Sequence, residues 1–471
     1  MIACRKAVPS PGLIKPLLLF LLLATAALAV VALAAPRAHA ASGDLVAWAP
    51  LYVGATTDRD ALFSAARGPS GSLYVSGISD QSQANGRLYL AKYDAHRELV
   101  WQVAYRPAGT LSASASFLAV DAAGNAIVAG SAWDGAQSDL VVVKFNPSGT
   151  VLWSAIRNAT GVYEGAGGLA VAGDGSVYVG DAGWGGPRVF VVKYDADADP
   201  AHPGKGLELW SHLLKGGGSS PSVSEYALAL DGAGSVYLAG DRSSVIGEND
   251  AFILKLGPGG SRRWLLTWDG SAHGFDTAEH LVVKGRAVTA AGNTESKKRQ
   301  ADVVVLRYDT AGHLRWARTW DAGARGPDNV ADMQMDGAGN VYAATNAWLS
   351  GNRQKIFLCK YAPSGRLIWQ KGYRGTTGEL GPDASGLAVS KAGDAWVSGY
   401  MARPSDLTQF LTVKWAASGA RRWARPWSGA PAQPFGGQAW SCILTGTTVV
   451  TLGEAFTAAN GSGAELTWRS R

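Results

Sequence analysis

Beyond residue 40 the chain is written in short apolar runs of 4–7 residues, each closed by Gly, Asp, Asn, Pro or Ser. One stretch shows the pattern cleanly. Apolar runs at 117–120, 126–130, 140–145 and 151–155 are separated by the turn Asp121-Ala-Ala-Gly124-Asn125, a polar loop to Asp139, and the turn Asn146-Pro-Ser-Gly149. Runs of this length, rich in valine, leucine and aromatics and bounded by turn formers, predict strands in a meander. No segment past residue 40 carries a sustained helical period, so no helix is predicted there.

The four-run pattern recurs along the whole chain. Its second run returns at 73–77, 177–180, 236–240, 341–344 and 396–399, and its third at 90–93, 191–194, 253–256, 305–308, 358–361 and 412–415. The fourth run carries a tryptophan: Trp48, Trp101, Trp153, Trp210, Trp264, Trp316, Trp369 and Trp423, spaced by 52–57 residues. A four-stranded meander of this size cannot bury both its faces alone, and radial stacking of copies solves the problem. The prediction is an all-β fold, a single β-propeller.

Blade number follows from the two ends. Eight sets of first to third strands are present, the last running from Trp440 to Trp468, but seven fourth strands follow such a set. An orphan fourth strand stands at 45–48, around Trp48. The reading is therefore eight four-stranded blades, closed by the N-terminal strand completing the last blade, which removes open sheet edges. Seven blades is the alternative, if the irregular final unit packs outside the ring.

With the motif in view, the chain resembles the bacterial β-propeller repeat of the SBBP type. Asp336-Gly-Ala-Gly339-Asn340-Val-Tyr342 and Lys360-Tyr361…Gly365-Arg-Leu-Ile-Trp369 carry the likeness. It implies an exported propeller and no particular activity. More distantly, the Gly-x-x-x-Trp element at Gly149–Trp153 and Gly312–Trp316 resembles that of pyrroloquinoline-quinone dehydrogenase propellers. There the match is incomplete: Asp309 precedes Gly312 by three positions where that family has four, and neither a vicinal cysteine pair nor a Cys-x-x-Cys-His haem site occurs. An outer-membrane assembly scaffold shares that architecture without being an enzyme, so the likeness does not imply catalysis.

Charge adds one correction. Arg5, Lys6 and Lys15 precede an apolar run at 17–35, and Ala38-His39-Ala40 supplies a small-x-small cleavage site. Residues 1–40 thus read as a signal peptide, or as an uncleaved anchor if the 19-residue run spans a bilayer, with the propeller at 41–471. They hold four of the 43 basic residues and none of the 37 acidic ones, so the formal charge of +6 falls to +2 beyond them. That argues against nucleic acid and against an anionic membrane surface as partners. The expectation is a monomer, secreted or in the cell envelope, touching a membrane only if the apolar segment stays. Cys359 and Cys442 fall in non-neighbouring units, so no disulfide is expected between them.

Candidate chemistry is sparse. The third-strand cations Lys92, Lys144, Lys193, Lys255, Arg307, Lys360 and Lys414 recur too regularly to be a ligand ring and are read as interblade packing. Aromatics four residues past the anchor tryptophan, Tyr105, Trp268, Trp320, Tyr373 and Trp427 among them, are read the same way. Acidic residues stand two to five positions before the first strand of several units: Glu164, Glu225, Asp276, Glu279, Asp328 and Asp383. At a channel mouth they would hold a cation or cationic ligand; otherwise each accepts backbone N–H groups in its own turn. Trp133, Trp184 and Trp348 fall between second and third strands and, beside Asp134, Asp181, Asp241 and Asn293, would suit carbohydrate. The alternating carboxylates of 195–199 fail the EF-hand spacing, because Gly206 stands where its last glutamate belongs. No zinc spacing, nucleophile elbow or phosphate loop occurs, so no catalytic residue, metal site or cofactor is assigned.

Three readings follow in order: an exported non-catalytic binding or protein-interaction scaffold; an extracellular carbohydrate-active enzyme or lectin using the loop tryptophans and channel-mouth carboxylates; and a quinone-dependent dehydrogenase.

Overall fold

Asp-x-x-Gly turns set the strand joints. Asp121 Oδ1 accepts the N–H groups of Ala123 (3.0 Å) and Asn125 (2.8 Å), and Asp336 Oδ1 does the same for Ala338 (3.0 Å) and Asn340 (2.9 Å). The glycine between them, Gly124 or Gly339, takes φ of 84° or 82°, a conformation that disfavours any side chain. Strands joined this way pair antiparallel with their chain neighbours.

The computed structural model describes residues 61–469 apart from 80–85, 159–163, 183–185, 218–220, 244–247, 297–299, 324–325, 350–352, 376–380, 403–407, 428–435, 447 and 457–460. Among the described residues every element is a strand except the short turn Pro69–Gly71. The strands form seven four-stranded sheets, here blades 1 to 7, at residues 61–105, 112–157, 166–215, 223–268, 280–320, 328–373 and 381–427. A three-stranded sheet follows: Gly436–Thr445, Thr448–Phe456 and Gly461–Arg469. First strands touch in succession around the ring, and that of the last sheet touches both blade 7 and Ala61–Arg67 of blade 1.

The fold is thus a β-propeller with seven four-stranded blades, which corrects the expectation of eight. The number matches the alternative, but the final unit does not pack outside the ring. Its Val450 and Leu452 share a core with Leu73, Val75 and Tyr89 of blade 1. Among the described residues three strands follow Trp427, and the expected closing strand at 45–48 lies outside them, as do the signal peptide and Lys297-Lys298-Arg299. Among the described residues no helix is long and apolar enough to cross a membrane.

Hydrophobic cores lie between blades. Ile127, Leu140, Val142 and Trp153 of blade 2 pack with Val177, Val179, Phe190 and Val192 of blade 3. Four junctions are also pinned at the outer end, where two donors share one acceptor. Trp153 Nε1 (3.3 Å) and Lys144 Nζ (2.9 Å) both donate to the Ala196 carbonyl of blade 3. Trp264 and Lys255 share Thr310, Trp369 and Lys360 share Ala417, and Trp101 and Lys92 share Pro147. The periodic tryptophan and lysine are therefore one device. The Gly of Gly-x-x-x-Trp completes it, since a Cβ on Gly365 would stand 2.7 Å from the Trp316 ring of the preceding blade. Within its own blade, Lys144 also meets Asp121 at 3.1 Å. Burial opposes ionisation of Asp121, yet its hydrogen bonds from Asn125 and the Lys144 ammonium hold the carboxyl below its usual range.

Aromatics past the anchor tryptophan are structural as well. Tyr105 meets Phe145 edge-on, and Trp320 meets Phe357 while its indole donates to Gln370 at 3.0 Å. Cys359 and Cys442 are buried free thiols.

Candidate functional site

Polar residues near the middle of three second strands, Asp241, Asn293 and Asn346, bind the first strands, Asp241 within its own blade and the two asparagines across to the next. Asp241 accepts from Tyr226 Oη and Asn249 Nδ2, both at 2.5 Å. Asn293 donates to Glu279 at 2.7 Å and accepts the Val330 N–H of blade 6 at 3.2 Å. Asn346 donates to Asp383 at 2.6 Å and accepts the Ala384 N–H of blade 7 at 2.8 Å. These amides and carboxylates join the inner strands.

Inside this ring the first strands of blades 2 to 6 line a cavity of about 220 Å³. Its polar wall holds Tyr226, Glu279, His280 and Asp332, and Phe117 adds a second ring. His280 Nδ1 lies 3.6 Å from Asp332 Oδ1, an ion pair when the imidazole is protonated, while Asp332 Oδ2 accepts the Leu387 N–H at 2.8 Å. Glu279 Oε1 is oriented by Thr277 (3.0 Å) and Asn293. Burial, and then Asp241, raise the Tyr226 phenol and keep it protonated. The cluster presents acceptors, and with neutral histidine its net charge is negative. Chemically it can bind a cation or a donor-rich ligand.

The expected site residues go elsewhere. Glu164, Glu225, Asp276, Asp328 and Asp383 each face their own interblade junction. Glu225, Asp328 and Asp383 belong to first strands rather than to the loops before them. Glu164 is 3% exposed, and its backbone is tied to Ser138 in both directions (2.8 and 3.0 Å). Glu225 is fully buried against Gly168 and Gly180, and neither carboxylate oxygen has a hydrogen-bond partner. Burial, and then Asp181, push its carboxyl well above the ordinary range. Asp383 accepts from Asn346, Gln354 (3.3 Å) and Tyr400 (3.3 Å), and burial pushes it up to about 6. Asp276 and Asp328 are each joined by two more aspartates, Asp250 with Asp269 and Asp302 with Asp321.

Trp133 and Trp348 lie in the strands Ala126–Trp133 and Val341–Leu349, half-buried, not in loops; Trp184 is outside the described residues. The acidic stretch at 195–199 is a hairpin end, with Asp199 held by His202 at 2.8 Å.

No family model and no curated protein matches the chain. Among solved structures it is similar to an ancestral GH74 enzyme (TM-score 0.45, 12% identity, covering 91% of this chain and 56% of that one). It is also similar to puromycin hydrolase (0.44, 12%, 85% and 51%) and to Sqt1 from Chaetomium thermophilum (0.37, 12%, 79% and 95%). The chain spans about half the length of the first two. At such identities the likeness concerns fold alone.

His280, Asp332 and Tyr226 were missed from sequence although the repeat relates them: Asp332 stands 52 residues after His280, and Tyr226 stands 53 before Glu279, so the cluster joins equivalent positions of three neighbouring blades. One signal did exist. At one first-strand register position His280 and Asp332 place titratable groups where blades 2, 4 and 7 carry Phe117, Ala227 and Gly386.

Proposed function

We propose that the chain is an exported, non-catalytic β-propeller that binds a protein partner at its channel, taking a basic side chain into the cluster of Tyr226, Glu279, His280 and Asp332. The observation that carries this reading is the convergence of two carboxylates, a histidine and a phenol from three neighbouring blades on one open cavity. Acceptors outnumber donors there, so a lysine or arginine complements the wall in charge and hydrogen bonding. The SBBP-type repeat and the signal-like residues 1–40 support export to the cell envelope or beyond, with the mature protein a monomer beginning at Ala41.

A carbohydrate ligand is the second reading, favoured by Phe117 and Tyr226 on the cavity wall, whose rings can stack on sugar C–H faces. Calorimetry with lysine- and arginine-containing peptides and with an oligosaccharide panel separates the two. The first reading expects peptide binding that Glu279→Gln and Asp332→Asn each weaken about tenfold, with unchanged melting temperature. Saturable sugar binding that both variants spare, with no peptide binding, would overturn it. Reducing ends released from the same oligosaccharides would show catalysis and refute the non-catalytic assignment.

A further inference from the structure

Two consecutive junctions carry the same constellation. In blade 4, Asp250 is the second residue of the third strand, Asp269 follows the fourth strand, and Asp276 precedes the next blade's first strand. In blade 5, Asp302 and Asp321 repeat these places and Asp328 opens the next blade's first strand, each displaced by 52 residues. Within each trio one carboxylate oxygen per residue lies within 4.8 Å of the other two. Strand register places Arg87 of blade 1 and Lys355 of blade 6 where Asp250 and Asp302 stand, so the trio is not a property of the repeat.

The decisive detail is the buried member. Asp276 and Asp328 are 0% and 1% exposed. In both, Oδ2 accepts a backbone N–H at 2.7 Å, from Gly270 or Ala322, two residues past the fourth-strand tryptophan. In both, Oδ1 has no partner at hydrogen-bond geometry, although at Asp276 the Thr294 hydroxyl lies close enough to favour the charged form. The loop therefore fixes each carboxylate by one oxygen and leaves the other, inside protein, with no donor at that geometry. A buried acceptor without a donor is costly, and two further carboxylates beside it raise that cost. The exposed ends, Asp269 and Asp321, open each trio to solvent and give an entry path. Asp269 also meets the exposed His273 at 2.7 Å.

We infer that these junctions are two equivalent divalent-cation sites with all-oxygen ligation, suited to calcium. Hard carboxylate donors without nitrogen or sulfur select calcium or magnesium. Three carboxylates from separate elements, mono- or bidentate, with water completing the shell, fit the loose geometry of calcium better than the strict octahedron of magnesium. Bound ions would tie blade 4 to blade 5 and blade 5 to blade 6. The inference does not depend on the channel reading.

Terbium luminescence tests it, because Trp268 and Trp320 adjoin the trios in sequence and can sensitise the ion. Wild type should bind two terbium ions per chain, displaced by calcium, and its melting temperature should rise with calcium. Asp269→Asn and Asp321→Asn, at exposed positions, should each lose one ion, and the double variant both ions and the calcium-induced rise. Terbium stoichiometry unchanged in the double variant would overturn the proposal. So would a wild type that binds no terbium and melts at the same temperature in calcium and in chelator; its buried aspartates would then be neutral acids.

Discussion

Glu225 is expected to weaken the fold it belongs to, and Glu225→Met is expected to strengthen it. The carboxylate is fully buried with two unpartnered oxygens, in space left by Gly168 and Gly180. An unsatisfied buried polar group costs about 1–3 kcal/mol, and replacement by an apolar group of similar shape removes that cost. Methionine has the same unbranched reach and adapts to irregular space, so a gain of about 1–3 kcal/mol is expected near neutral pH. The sign of the pH dependence is fixed by the raised carboxyl. Its folded pKa exceeds the unfolded value, so the native state holds the proton more tightly. Wild-type stability from this group is full below the unfolded pKa and declines as pH rises toward the folded one. The advantage of the methionine variant should therefore be small near pH 4 and grow above it. Urea unfolding followed by tryptophan fluorescence at both ends of that window measures it. A methionine variant less stable than wild type at neutral pH would refute the reasoning. Gly180→Ala is the companion: its Cβ would stand 1.8 Å from Glu225 Oε2. It should cost about 1–3 kcal/mol through overpacking, much of it recovered when Glu225 is shortened.

Other outcomes follow from the junctions. Trp153→Ala, at a 1% exposed anchor, should cost about 3–5 kcal/mol by denaturant titration; the same change at the more exposed Trp101 should cost less. Asp121→Ala strands the Lys144 ammonium, 3% exposed, and should cost about 3–5 kcal/mol, whereas the double replacement Asp121→Asn with Lys144→Met should recover part of it. In chelator, Asp276 and Asp328, both pushed up to about 6 by burial and neighbouring aspartates, should make stability fall as pH rises from their ordinary range through 6. Calcium should cancel that fall, and unfolding curves with and without it show whether it does.

Repetition made the fold legible. Turn aspartates, the positive-φ glycine and the anchor tryptophan recur with the repeat, and each has a local or nearest-neighbour role that a single unit already displays. Blade count was less legible, because among the described residues the last unit forms three strands where the repeat led to an expectation of four. The site was least legible. Asp250, Asp269 and Asp276 lie on three elements of two units, and no ligand spacing announces them; only the second copy at Asp302, Asp321 and Asp328 offered a sequence signal. Glu279 and His280 are adjacent in sequence, but Asp332 and Tyr226 reach them through the ring. Trp133 and Trp348 misled because strands Ala126–Trp133 and Val341–Leu349 run further than their apolar cores suggest.

The carbonyl shared by a tryptophan and a lysine has a direction: a blade donates and its successor accepts, never the reverse. The ring is therefore assembled like a head-to-tail cyclic oligomer joined on one polypeptide, its interfaces heterologous rather than self-complementary. A unit copied or deleted in frame presents both halves of the joint it needs, so the number of units can drift by duplication without any interface being reinvented.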